Sequence, residues 1–233
     1  MLKTLLSLMG VLLLLGCGEV ASPAKPSRIL LLGDSMMATG RGTDSTVAHV
    51  LESTLGEEVI DRSVVGARYF YYMPISGLAG LNLPAQFRDG KWDWIVLNGG
   101  GNDLLFGCGC WRCDWQIDRL ISPDGTKGAI PAFVSKLRAT GAQVIYTGYL
   151  RNPGVKTPIK GCGPAGNELD RRLAVMDGLD PGTHFLPMSD LVPEGDTSYH
   201  LEDLIHPSPK GSAGIAARIA ERIRSPEGAA RQK

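Results

Sequence analysis

Short apolar segments alternate with longer amphipathic ones along most of this chain, and the alternation constrains the fold more than any other feature. Each apolar segment lacks a polar face, which is typical of strands buried on both sides of a parallel sheet. The predicted strands cover residues 28–32, 58–64, 94–98, 143–148 and 183–187. Predicted helices cover residues 43–55, 83–87, 127–140, 166–177 and 209–224. This order predicts an α/β fold, a three-layer α/β/α sandwich around a mostly parallel sheet of about five strands.

A glycine, an aspartate and a serine follow the first predicted strand, at Gly33, Asp34 and Ser35. In open parallel sheets, ligands bind beyond the carboxyl ends of the strands. A serine on a strand-to-helix turn is exposed, and the helix N–H groups point toward an incoming oxyanion. Ser35 is therefore a candidate nucleophile. The alternative is that Ser35 only caps a helix.

A serine nucleophile requires a base, and His206 is the best placed of the four histidines. Asp203 precedes it by three residues, so a turn places the carboxylate beside the imidazole. Such a carboxylate orients the ring and stabilises the imidazolium. The alternative is a pair of polar residues on a surface loop.

Two further residues suit the stabilisation of a tetrahedral oxyanion. Gly66 follows the second predicted strand and offers a backbone N–H, and Asn102 belongs to the sequence GGND after the third strand. Side-chain amides and backbone N–H groups of this kind form oxyanion holes. The alternative is that both positions are ordinary turns.

The order of these motifs resembles the SGNH, or GDSL-type, hydrolase family, from Arg28 to the end of the last predicted helix. The resemblance implies a flavodoxin-like sheet and an esterase that needs no cofactor or metal. Ser35 would be the nucleophile and first oxyanion donor, with Gly66 and Asn102 as the other donors. Asp203 and His206 would complete the triad. The sequences GGND and HPSPKG are most similar to the thioesterase and lysophospholipase-like members.

The expected reaction is hydrolysis of a small-molecule carboxylic ester or thioester through an acyl-enzyme. An acyltransferase, a carbohydrate O-acetylesterase and a non-catalytic binding lipoprotein remain as alternatives. The chain has no G-x-S-x-G sequence, and the glycines that follow the first and third predicted strands do not spell G-x-G-x-x-G. Asp34, Asp103 and His206 would make a thin metal shell. With 24 basic and 24 acidic residues the formal charge is zero, so nucleic acid is not an expected partner.

The N-terminus has the pattern of an export signal. Lys3 precedes a leucine-rich run that is too short to span a membrane and that ends at Gly16 and Cys17. This resembles the lipobox of bacterial lipoproteins, which implies lipidation of Cys17, a membrane anchor and a periplasmic location. The alternative is a cleaved signal and a soluble periplasmic or secreted protein. We expect a signal peptide at 1–17, a tether at 18–27, one monomeric hydrolase domain at 28–225 and a tail at 226–233.

The remaining cysteines predict two disulfides, because exported proteins occupy an oxidising compartment. The pairing is either Cys108 with Cys113 and Cys110 with Cys162, or Cys110 with Cys113 and Cys108 with Cys162. A zinc site of four thiolates is the alternative. These cysteines lie in two long segments, 104–128 and 152–163, that read as loops added to the sheet.

An aromatic run follows Gly66 and contains Tyr69, Phe70, Tyr71 and Tyr72. One interpretation is a substrate-binding wall that accepts an acyl chain or a ring. The other is ordinary packing beneath a loop.

Overall fold

A computed structural model describes residues 28–71, 73, 77–157 and 159–225. The signal peptide predicted at 1–17, with Cys17, lies outside the described residues. So do the tether at 18–27, the tail at 226–233 and Tyr72. Among the helices of the described ranges, none has the length and apolar character needed to cross a bilayer.

Five parallel strands form one sheet in the order β2-β1-β3-β4-β5. The strands are β1 (Ile29–Leu32), β2 (Val59–Asp61), β3 (Trp94–Leu97), β4 (Gln143–Thr147) and β5 (Thr183–Leu186). The order reverses at β1, so the carboxyl ends of β1 and β3 flank the crevice where sheets of this topology bind ligands. The parallel α/β prediction is confirmed.

Helices cover both faces of this sheet. They are α1 (Ser35–Ala38), α2 (Val47–Leu55), α3 (Gly101–Cys108), α4 (Asp114–Leu120), α5 (Ala129–Arg138), α6 (Gly163–Asp177) and α7 (Pro209–Arg224). Helices α2 and α7 pack on one face, and α4, α5 and α6 pack on the other. The three layers follow directly from the buried apolar side of each helix.

Strand β1 shows why its sequence is uniformly apolar. Leu30 and Leu32 belong to one buried cluster, and Ile29 and Leu31 belong to the cluster on the opposite face. Successive side chains of a strand point to opposite faces, so a strand between two helical layers has no solvent side.

Helix boundaries differ from the prediction in several places: the helix predicted at 127–140 is Ala129–Arg138, and the one predicted at 166–177 begins at Gly163. The helix expected at 43–55 begins at Val47, because the Thr46 hydroxyl accepts a hydrogen bond from the His49 N–H at 3.0 Å and caps it. The stretch at 83–87 is a 3₁₀ helix, Leu83–Gln86. The segment 104–128, expected as a loop, contains the end of α3 and all of α4. Glycines and cysteines in that segment weaken its helical pattern.

The four cysteines of the described domain form two disulfides. Cys108 is bonded to Cys113, and Cys110 is bonded to Cys162. This is the first of the two pairings considered above, and it leaves none of these four thiols free to hold zinc. The second bridge joins the two added segments to each other.

Candidate active site

The turn after β1 places Ser35 at the first position of α1. Gly33 is required here because a Cβ at this position would overlap the side-chain oxygen of Asn98. The Asp34 carboxylate accepts a hydrogen bond from the Met36 N–H at 2.9 Å and so caps the helix. The N–H of Ser35 donates no hydrogen bond to any residue in the described ranges, so it is available to an oxyanion.

Asp34 is buried, with 1% of its surface exposed, and it lies at the centre of a polar network. Asn98 Nδ2 donates to Asp34 Oδ1 at 2.9 Å, and the Tyr149 hydroxyl donates to Asp34 Oδ2 at 2.6 Å. Burial raises the pKa of Asp34, and the hydrogen bonds from Tyr149, Asn98 and Met36 oppose that effect. Asn98 and Tyr149 were not identified from the sequence. Their only signal is their position just after β3 and β4.

Gly66 and Asn102 lie next to each other although they are far apart in sequence. Asn102 Nδ2 donates to the carbonyl oxygen of Ala67 at 3.1 Å. Gly66 has φ +81°, a conformation that favours glycine, and its N–H donates to no residue of the described ranges. The structure therefore brings Gly66 and Asn102, two of the three predicted oxyanion donors, close together.

Asp103 holds the loop that follows Gly66 against α3. This carboxylate accepts hydrogen bonds from the N–H groups of Tyr69 at 3.0 Å and Phe70 at 2.9 Å. Burial raises the pKa of Asp103, and these two hydrogen bonds oppose that effect. Asp103 thus anchors the loop and is not placed as a reacting group.

His206 and Asp203 form the predicted pair. His206 Nδ1 lies 2.5 Å from Asp203 Oδ2, and Asp203 Oδ1 accepts from the N–H groups of Ile205 at 2.9 Å and His206 at 3.0 Å. Burial alone would raise the pKa of Asp203, but the hydrogen bonds from His206 and Ile205 outweigh it and leave the pKa below its ordinary value. Asp203 therefore remains ionised at neutral pH and orients the imidazole.

Ser35, Asn102 and His206 line one cavity of about 440 Å³ at the carboxyl edge of the sheet. Its apolar wall consists of Met36, Leu104, Leu105, Leu150, Ile159, Leu169 and Ile205. Ser35 and His206 are not hydrogen-bonded to each other in this structure, although both side chains face the cavity. Gly66 and Asp203 do not line the cavity; Asn102 contacts the residue after Gly66, and Asp203 is bonded to His206.

The added segments form one side of this cavity. Cys110 and Cys162 both line it, and so do Leu105 from α3 and Ile159 from the second segment. The Cys110–Cys162 disulfide is therefore part of the wall. The sequence predicts that these cysteines form disulfides, but it does not predict that they line the cavity.

The described part of the aromatic run after Gly66, Tyr69 to Tyr71, does not line the cavity. Tyr69 is buried in the core, where its hydroxyl lies 3.2 Å from that of Tyr146. Arg119 covers the Phe70 ring at 4.0 Å, and Arg68 covers the Tyr71 ring at 5.0 Å. The substrate-binding wall predicted at Tyr69, Phe70 and Tyr71 is therefore not found at the cavity. These side chains pack against their neighbours, because hydrogen bonds to the Asp103 carboxylate hold their loop against α3.

The carboxylates of the competing metal interpretation accept hydrogen bonds from other residues of the protein. Asp34 and Asp103 are both engaged by hydrogen-bond donors of the protein, as described above. Within the described ranges, no three His, Cys, Asp or Glu side chains are grouped so that they could hold a metal ion.

The sheet order and the convergence of these polar groups at its edge define a hydrolase of the α/β/α class. Residues 31–213 match the model of the GDSL-like Lipase/Acylhydrolase family. The chain belongs to this family and is an ester-cleaving hydrolase. The resemblance read from the motifs is confirmed.

Solved structures of several hydrolases share the fold. A GDSL-like lipase from Bacteroides thetaiotaomicron is 17% identical, with a TM-score of 0.56, over 84% of this chain and 87% of the other. An acetyl xylan esterase from Butyrivibrio proteoclasticus is 15% identical, with a TM-score of 0.53, over 87% of this chain and 65% of the other. A carbohydrate esterase of family 2 from Corynascus thermopiles is 16% identical, with a TM-score of 0.57, over 87% of this chain and 67% of the other. A comparison with curated proteins gave no match.

Proposed function

We propose that this protein is a serine esterase that hydrolyses a carboxylic ester or thioester through an acyl-enzyme on Ser35. The observation that carries the proposal is the convergence of Ser35, Asn102 and His206 on one cavity, with Asp203 bonded to the far side of the imidazole. These groups supply a nucleophile, a base, an orienting carboxylate and an oxyanion donor.

In the first half of the reaction, His206 Nε2 accepts the proton of the Ser35 hydroxyl as its oxygen attacks the substrate carbonyl carbon. The N–H group of Ser35 and the amide of Asn102, two residues that line the cavity, stabilise the resulting oxyanion, and the N–H of Gly66, beside Asn102, is the third donor of the proposal. Asp203 stabilises the imidazolium, because its depressed pKa keeps the carboxylate charged. The tetrahedral intermediate then collapses, the bond to the leaving group breaks, and His206 protonates the departing alcohol or thiol.

In the second half, His206 takes a proton from a water molecule that attacks the acyl-enzyme. Collapse of the second tetrahedral intermediate releases the carboxylic acid and returns the proton to Ser35. Because the apolar residues of the cavity lie beside the serine, they suit the acyl part of an ester.

The test compares wild type, Ser35→Ala and a matched control on p-nitrophenyl esters from acetyl to octanoyl, an acyl thioester and acetylated xylan. Ser53→Ala is the control, since Ser53 is an exposed serine on α2. We expect hydrolysis by wild type and by Ser53→Ala, and a loss of at least about 10³-fold in Ser35→Ala. Full activity of Ser35→Ala would overturn the assignment of the nucleophile. Activity on the xylan alone would point to a carbohydrate O-acetylesterase.

The location is proposed from the N-terminal sequence. We infer that Cys17 is lipidated and that the domain stands on the periplasmic side of a bacterial membrane, a compartment that suits two disulfides. Expression with a labelled fatty acid should label wild type and leave Cys17→Ser unlabelled. Equal labelling of the two proteins would overturn it.

A further inference from the structure

Tyr149 stands between two parts of the candidate site. It follows β4, and its hydroxyl donates to Asp34 Oδ2 at 2.6 Å while accepting a hydrogen bond from the Gly101 N–H at 2.9 Å. A phenol has one proton and an accepting oxygen, so it serves both partners at once. Burial raises the pKa of the Tyr149 hydroxyl well above its ordinary value, so the proton stays in place at neutral pH.

Each partner of this hydroxyl begins a helix that carries a proposed reacting group. Asp34 caps α1, whose first residue is Ser35. Gly101 is the first residue of α3, and Asn102 is the second. The Tyr149 hydroxyl oxygen therefore links the start of α1, which carries Ser35, to the start of α3, which carries Asn102.

The close approach of α3 to Tyr149 depends on Gly101. A Cβ at Gly101 would lie 2.7 Å from the ring carbon Cζ of Tyr149 and 3.0 Å from its hydroxyl oxygen. Any larger residue would push the ring and the helix apart. The glycine is required here for space and not for its backbone angles, since Gly101 is absent from the positive-φ glycines of the described chain.

We propose that Tyr149 is a positioning residue that sets the distance between the Ser35 nucleophile and the Asn102 oxyanion donor. The inference rests on the proposed function. It adds a residue that belongs to none of the four motifs of the sequence. Misplacement of a reacting group by about 1 Å can cost about 10²-fold in rate, so a hydroxyl at this junction affects turnover more than substrate binding.

The test is Tyr149→Phe, with Tyr146→Phe as the matched control. Tyr146 is a second buried tyrosine three residues earlier, and its hydroxyl donates to the carbonyl oxygen of Gly99 at 3.0 Å without contacting Asp34 or Gly101. On p-nitrophenyl butyrate we expect kcat of Tyr149→Phe to fall about 10- to 100-fold with KM changed less than about twofold. Tyr146→Phe should keep kcat within about twofold, even where its melting temperature falls.

Gly101→Ala provides a second approach that keeps the hydroxyl and displaces it. We expect a loss of kcat similar to that of Tyr149→Phe, and a double variant that is little worse than either single variant, because both changes break the same link. If circular dichroism shows that Tyr149→Phe does not fold, the kcat of Gly101→Ala alone tests the proposal. If the wild type is active and the folded variants have the same kcat as the wild type, the positioning role of Tyr149 is overturned. An inactive wild type would instead remove the esterase proposal.

Discussion

Two regions of the molecule meet at one cavity and differ in how they are held. The ends of β1 and β3 carry Ser35 and Asn102, and the loop before α7 carries His206. Hydrogen bonds to the carboxylates of Asp34, Asp103 and Asp203 hold these segments in place. The added segments, 104–128 and 152–163, carry part of the cavity wall, and a disulfide joins them. In the proposed mechanism the first region holds the groups that react with any ester, whereas the second shapes the space that a particular ester occupies.

This difference separates rate from selectivity. If the groups of the first region stabilise charge that develops at the carbonyl, as proposed, changes there should lower the turnover of every substrate alike. Wall residues contact the rest of the substrate, so changes there should alter the ratio of activities between substrates. The predictions below challenge that separation.

Removal of the base should have the largest effect. In His206→Ala no group accepts the serine proton, so we expect kcat to fall at least about 10³-fold for all acyl chains. The control is His49→Ala, an exposed histidine on α2, which should retain full activity. Rates are measured on the acetyl to octanoyl series. A loss confined to one chain length would mean that His206 acts as a wall residue.

Removal of an oxyanion donor should have the next largest effect. We expect Asn102→Ala to lower kcat by about 10² to 10³-fold, with KM little changed, because the amide acts on charge present only in the transition state. Asn82→Ala, which removes a cap from the 3₁₀ helix Leu83–Gln86, is the control. A change in KM alone for Asn102→Ala would contradict the role.

The wall disulfide should govern chain-length selectivity. We expect replacement of Cys110 and Cys162 by serine to change the octanoyl to acetyl ratio of kcat/KM by about tenfold, because the two segments are no longer joined. Replacement of Cys108 and Cys113, which lie off the cavity, should leave the ratio within about threefold. An unchanged ratio in the first double variant would show that the wall does not depend on this bridge.

Loss of the salt bridges that Glu168 makes on α6 should have the smallest effect of the changes considered. Glu168 on α6 accepts from Arg171 and Arg172, and Arg172 also contacts Asp118 on α4 at 2.6 Å. The hydrogen bond from Arg171, and then that from Arg172, holds the pKa of Glu168 at about 2, below its ordinary 4.5. The stabilisation is therefore complete above about pH 4.5 and is lost as the pH falls toward 2.

Urea unfolding of Glu168→Gln tests this prediction. At pH 7 we expect the variant to be less stable by under about 1 kcal/mol, since a partly exposed ion pair is screened by solvent. The difference from wild type should shrink toward pH 2.5. Glu221→Gln, on the exposed face of α7, is the control. A difference that grows in acid would have the wrong sign and would contradict the account.

The strand ends were predictable because their physics is local. A buried parallel strand is apolar throughout, and the residues that follow it must reach the ligand edge, so Ser35 and Asn102 could be placed before any coordinates. The three-residue spacing of Asp203 and His206 likewise forces proximity in a turn. These inferences needed no knowledge of packing.

The rest depends on contacts between distant residues, which no local pattern encodes. Asn98 and Tyr149 meet Asp34 across 64 and 115 residues of sequence. Tyr69 was a candidate wall residue by composition, yet the buried Asp103 carboxylate directs its loop into the core. The sequence alone leaves the disulfide pairing open between two arrangements, because both avoid a strained bridge between Cys108 and Cys110, which one residue separates.

The most direct test of the central claim is covalent labelling with a fluorophosphonate, followed by peptide mapping in a mass spectrometer. The account predicts one adduct, on the peptide that contains Ser35, and its disappearance in Ser35→Ala. An adduct on another residue, or undiminished labelling of Ser35→Ala, would contradict it.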